Sequence, residues 1–281
     1  MAIVTAFFLA GCGSGGDGGG SSASTGTVSM AITDAKPALP AGVEKVIVTI
    51  DEVSIHRSEG GWTSLTLAQN PFTIDLLQFS GGGTTQLVPQ TTLLAGHITQ
   101  VRLSVKEATI VIDGVSHAME VPSDSLKTDK NFDFDITGGG AVNLTVDFDL
   151  SQSIVVTGSG TYKLKPVLHL VKTEEAATIR GGIASSTFGN TNADNFATVV
   201  VTLDKDNSGS ITAGDEEYTR VIVEKPVSGN ATFDIFWLVP NQRYVVRVWI
   251  GDDLAANPKL TEAVGPTVAG AIYNINGGNP I

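Results

Sequence analysis

From Val28 onward, apolar residues recur at every second position, and no stretch keeps the 3.6-residue period of an amphipathic helix beyond a turn or two. Residues 43–55 (VEKVIVTIDEVSI) place Val46, Val48 and Ile50 on one side, with Val53 a further candidate for it. Phe72, Ile74 and Leu76 repeat the pattern, as do Val101, Leu103 and Val105. A period of two puts alternate side chains on opposite faces of a strand, so one face is buried while the other meets water. The glycine triplets 81–83 and 138–140 punctuate these runs as turns. The expected fold is therefore all-β, built of antiparallel β-sandwiches.

The polar stretch 172–177 (KTEEAA) interrupts the series, and a second set of strands starts at Thr178. This predicts two β-sandwich domains, over residues 27–172 and 173–281. Each is long enough to bury its own core. The single cysteine, Cys12, forms no internal disulfide, so both domains must hold by packing alone. The formal net charge of −12 argues against nucleic acid and against direct binding to anionic lipid, which both require basic surfaces.

The first eleven residues (MAIVTAFFLAG) have the apolar run and small-residue end of a signal peptide, although no Lys or Arg precedes the run. They are too short to span a bilayer, which takes about 20 apolar residues. Residues 9–12 (LAGC) resemble the lipobox of bacterial lipoproteins. That resemblance implies cleavage before Cys12, a diacylglycerol on its thiol and acylation of the new amine. Residues 12–26 then form the lipidated Cys and a flexible Gly/Ser linker. By resemblance to Gram-negative sorting, Gly13 after the Cys implies the outer membrane or cell surface in preference to the inner membrane.

Several pieces of the first domain resemble, in serial order, the domain-of-unknown-function family 4382. They are 31–34 (AITD), 46–56, 72–77 (FTIDLL), 94–103 (LAGHITQVRL), 146–149 (VDFD), 153–156 (SIVV) and 164–167 (LKPV). The resemblance covers about residues 26–171. It implies an exported sandwich and supplies no catalytic residues. In the second domain, 229–240 (GNATFDIFWLVP) and 243–248 (RYVVRV) resemble the transthyretin-like modules of carboxypeptidase regulatory domains. Those modules imply stalks, spacers and adhesion.

Candidate catalytic groups are sparse. His56, His97, His117 and His169 have no metal-ligand spacing, and there is no Gly-x-Ser-x-Gly elbow. Asp133 with Asp135, and Asp147 with Asp149, each share a strand face and are the one arrangement a carboxylate hydrolase could use. The simpler reading of the first pair puts Phe132, Phe134 and Ile136 in the core and the carboxylates in water. His97, in a turn beside Gly96, reads as structural. Trp237 and Trp249 fall in apolar strands, which favours the core. Trp62, between Gly61 and Thr63, is the tryptophan most open to a sugar.

One motif carries chemistry. Residues 204–215 (DKDNSGSITAGD) fit a calcium loop, by resemblance to EF-hand and dockerin loops. Calcium takes six to eight hard oxygen ligands. The pattern assigns side chains of Asp204, Asp206 and Ser208, the turn to Gly209, the carbonyl of Ser210 and the carboxylate of Asp215. Ile211 is expected to anchor the loop in the core. The twelfth position is Asp215, shorter than the usual Glu, with Glu216 and Glu217 beside it, and the flanks read as strands. Without metal the same residues make a polar hairpin, since 207–209 (NSG) is good turn chemistry.

The functional expectation is a non-enzymatic, lipid-anchored surface or periplasm-facing protein with a binding, adhesion or envelope-structural role. Its cofactors are calcium and the covalent lipid. Its partners are the membrane, through that lipid, and polysaccharide or envelope proteins. The alternatives are an accessory substrate- or metal-binding protein of an envelope complex and a carboxylate-dependent hydrolase.

Overall fold

The computed structural model describes residues 24–34, 39, 41–122, 126–127 and 132–281. The signal, Cys12 and most of the linker lie outside the described residues. The chain is all-β, as the period of two requires. The first thirteen strands are β1 (Thr25–Thr33), β2 (Val43–Arg57), β3 (Gly61–Leu65), β4 (Phe72–Asp75), β5 (Thr85–Leu94), β6 (Gly96–Ile112), β7 (Val115–Met119), β8 (Leu126–Lys127), β9 (Phe134–Ile136), β10 (Ala141–Phe148), β11 (Ile154–Val156), β12 (Tyr162–Leu164) and β13 (Leu168–Lys172). A seven-stranded sheet runs β3-β2-β6-β7, with β4 also on β2 and with β8 and β9 also on β6. A four-stranded sheet runs β13-β10-β1-β5. Val28, Met30 and Ile32 of β1 and Leu144, Val146 and Phe148 of β10 share one core with Val46, Val48, Ile50, Val101, Leu103 and Val105. Each such side chain contributes about 1.5–3 kcal/mol on leaving water.

Two details depart from the expected pattern. Strand β1 pairs with β10 in parallel, through Thr27↔Ala141 to Thr33↔Asp147, inside an otherwise antiparallel sheet. It also starts at Thr25, so the last two residues assigned to the linker belong to the sheet. Gly26 is a glycine for a packing reason: a Cβ there would lie 2.5 Å from the Thr137 carbonyl oxygen and 2.9 Å from that of Gly140.

A single 3₁₀ turn, Thr173–Glu175, joins β13 to the second strand series. These strands are β14 (Ala177–Ala184), β15 (Phe196–Leu203), β16 (Glu216–Glu224), β17 (Asn230–Leu238), β18 (Tyr244–Ile250), β19 (Leu260–Val264) and β20 (Ile272–Asn274). They form a sheet β17-β14-β20 and a sheet β16-β15-β18-β19, with β14 and β20 parallel. Ile179, Ile183, Phe233 and Ile235 from the first sheet meet Val199, Val201, Val246 and Val248 from the second in a separate core.

The two strand sets pack against each other. Tyr218 on β16 is buried; its carbonyl oxygen accepts from Gln152 Nε2 at 2.8 Å and lies 2.9 Å from His169 Nε2. Gly82, in the loop before β5, sits under the ring of Phe236 on β17. Among the described residues no helix is long and apolar enough to cross a membrane.

Candidate functional site

The loop from Asp204 to Asp215 connects β15 to β16. Valine-rich β15 is one of the two inner strands of its sheet, paired on both sides, so its end is held firmly. Asp204, the next residue, is 2% exposed, and its N–H donates to the Arg243 carbonyl at 3.0 Å. Asn207 and Gly209 adopt φ of +58° and +74°, the left-handed region that Asn tolerates and Gly occupies freely. Those two residues turn the chain back toward β16.

This path brings the carboxylates together. One oxygen each of Asp204, Asp206 and Asp215 lies within 4.8 Å of the others, the one such group of acidic, His or Cys side chains among the described residues. Asp204 accepts from the N–H groups of Ser208 at 3.0 Å and Gly209 at 2.9 Å. Asp206 accepts from Ser208 N–H at 3.0 Å. Asp215 accepts from Lys205 N–H at 2.9 Å and Thr212 N–H at 2.7 Å. The hydroxyl and N–H of Ser208 hold Asp206 below the usual carboxylate range, and the N–H groups of Thr212 and Lys205 do the same for Asp215. Both therefore stay ionised at neutral pH, the form a cation needs.

The donor set suits a hard cation. Beside the three carboxylates stand the Ser208 hydroxyl and the Ser210 carbonyl, which hydrogen-bond to each other at 2.9 Å. Thr212 completes the set, and its part was not assigned from the sequence. Its hydroxyl donates to Asp206 Oδ2 at 3.0 Å and lies 3.1 Å from Asp215 Oδ2. Thr212 is ninth in the twelve-residue loop, a ligand position in calcium loops, so the spacing held the signal. Ile211 does not anchor the loop. It is 39% exposed, and the attachment is made by buried Asp204 instead.

The other candidates separate clearly. Asp133 and Asp135 are exposed, with Phe134 and Ile136 buried between and after them. Both carboxylates grip His97, at 3.2 Å from Nε2 and 2.9 Å from Nδ1, which fixes the turn at the start of β6. Asp147 and Asp149 do not form a solvent-facing pair. They are 1% and 0% exposed, because the second strand set covers that face of β10. Asp149 caps the helical turn Leu150–Ser153, accepting from Gln152 N–H at 3.2 Å. Trp249 is buried and donates to the Ala256 carbonyl at 2.8 Å, whereas Trp237 lies half-buried between the two strand sets. Trp62 is 39% exposed, but the Arg102 guanidinium lies 4.1 Å over its ring and His56 meets it edge-on. One ring face is thus already occupied.

The serial match seen in the first strand set is a family match. The family model described as a domain of unknown function (DUF4382) fits residues 25–166, half of the chain. The chain belongs to this family. No curated protein matches it. Among solved structures, the Bacillus anthracis TIE protein is 13% identical, covering 89% of this chain and 33% of that one, with a TM-score of 0.22. This chain thus spans about a third of that protein's length. The fimbrial anchor protein Mfa2 from Porphyromonas gingivalis is 9% identical, covering 84% of this chain and 81% of that one, with a TM-score of 0.20. Scores this low do not establish a shared fold. The DUF4382 match leaves the second strand set outside the family.

Proposed function

We propose that this DUF4382 protein is an exported, non-catalytic envelope protein, lipid-anchored through Cys12, whose second sandwich is stabilised by calcium in the 204–215 loop. The observation that carries the reading is the convergence of Asp204, Asp206 and Asp215 within 4.8 Å at the end of a buried strand. Three carboxylates held so close repel one another, and a divalent cation turns that repulsion into attraction. The lipobox-like residues 9–12 and the Gly/Ser stretch support a tethered, surface or periplasm-facing position, with the outer membrane favoured by Gly13. The burial of Asp147 and Asp149 speaks against the strand-carboxylate hydrolase. The resemblance of residues 229–240 and 243–248 to transthyretin-like modules supports a spacer or adhesive module that meets polysaccharide or other envelope proteins.

Calcium titration calorimetry on the lipid-free chain from Gly13 tests this reading. It predicts one site with a Kd of about 0.1–1 mM, the range of extracellular modules, lost in Asp204→Ala. Absence of any calcium heat in the parent chain removes it. A second reading, an accessory binding protein, is favoured by a groove of about 1030 Å³ between the strand sets, bordered by Ile154, Phe196, Arg220, Lys225 and Asp252. Ligand sites favour such interfaces.

A further inference from the structure

Where the two sandwiches meet, two buried polar groups lack partners among the described residues. Asp34, just past β1, is fully buried. Its Oδ1 accepts from Leu150 N–H at 3.2 Å, while its Oδ2 has no hydrogen bond. Trp237, near the end of β17, has a buried indole N–H that is also without a partner. Its backbone is held at φ +63°, a conformation rare for a bulky residue. Both residues line one cavity of about 10 Å³, together with Gly81, Gly82, Val221, Ile235, Phe236 and Asp234, whose carboxylate is paired with Arg180 at 2.6 Å.

That volume is about one probe sphere, the smallest that admits a water molecule. The chemistry of the walls narrows the guest further. An anion would face Asp34, with Asp147 and Asp149 close enough to add their charge. A cation would face an indole N–H, a group that only donates. A neutral molecule of one heavy atom that both accepts and donates suits both walls. We propose that a single water molecule is a built-in part of the joint, accepting from Trp237 Nε1–H and sharing a hydrogen bond with Asp34 Oδ2, as acceptor while that oxygen carries the carboxyl proton and as donor once the proton is lost. It ties the strand end of one sandwich to the other and satisfies two polar groups that packing alone leaves orphaned. This goes beyond the calcium reading and does not depend on it.

A crystal structure of the protein at a resolution that shows ordered water tests the proposal. It predicts one isolated density peak within about 3.2 Å of both atoms, lost in crystals of Trp237→Phe. A dry cavity, a peak that persists in Trp237→Phe, or an Asp34 Oδ2 bonded directly to a protein group overturns it. A peak ringed by oxygens at about 2.3–2.6 Å would also overturn it, since that is a metal.

Discussion

Tyr218 lies flat against His169, ring centroids 4.0 Å apart and planes 21° from parallel, while its carbonyl meets His169 Nε2 at 2.9 Å. One residue of β16 thus supplies both a stacked ring and a backbone acceptor to β13 of the other strand set. It follows Asp215 by three positions, so the acidic loop and the joint share one strand. Its ring also packs edge-on to Tyr244, and its hydroxyl donates to the Trp237 carbonyl at 3.0 Å. Tyr218→Ala is expected to lower stability by about 3–5 kcal/mol, as for other buried aromatic truncations. Urea unfolding followed by tryptophan fluorescence measures it.

Gly82 is the other side of the same joint. A Cβ at this position would lie 2.8 Å from Phe236 Cε2, and φ is +88°, where an L side chain is strained. Gly82→Ala should therefore cost about 1–3 kcal/mol by overpacking. Equivalent substitutions at Gly81 or Gly114, which have nothing within 4 Å, carry only the backbone penalty. Comparing the three variants in urea separates contact from conformation.

Ile211 provides a control for the loop. Because it is exposed and not seated in the core, Ile211→Thr is expected to change stability by no more than about 0.5 kcal/mol. A buried anchor would lose several times as much. Chemical unfolding of the two proteins side by side measures the difference.

Asp34 sets a pH dependence opposite to that of most carboxylates. Burial, then the charge of Asp147, hold its proton on well above the usual range. The folded state therefore keeps this proton at pH values where the unfolded chain, with a value of about 3.9, has released it. As pH rises above about 4 toward the folded value, this group lowers stability. Asp34→Asn, which keeps an acceptor for Leu150 N–H, should remove that part of the slope. Urea midpoints collected from pH 4 to 7 on both proteins measure it.

These predictions mark where local pattern stops being informative. The Phe132, Phe134, Ile136 alternation was legible because a strand with one wet face writes its burial as a period of two. The same reading applied to Asp147 and Asp149 shows only that they share a face. Whether water or a second sandwich covers that face depends on packing between distant segments. The parallel β1–β10 pairing is likewise non-local, since more than a hundred residues separate Thr27 from Ala141. Asp204, Asp206, Ser208, Gly209, Ser210 and Asp215 were readable from spacing because turn and ligand geometry fall within one loop. Thr212 falls in the same spacing, but a hydroxyl is too common in polar loops for the residue type alone to mark it as a ligand. The exposure of Ile211 was not readable, because the direction of a loop side chain depends on how its stems pack.

The most direct test of the calcium loop is thermal unfolding of the lipid-free chain from Gly13, in millimolar calcium and in chelator. A midpoint several degrees higher in calcium, and no such rise in Asp204→Ala, is the predicted result. An identical midpoint in both conditions would contradict the account and reduce residues 204–215 to a polar hairpin closed by its own hydrogen bonds.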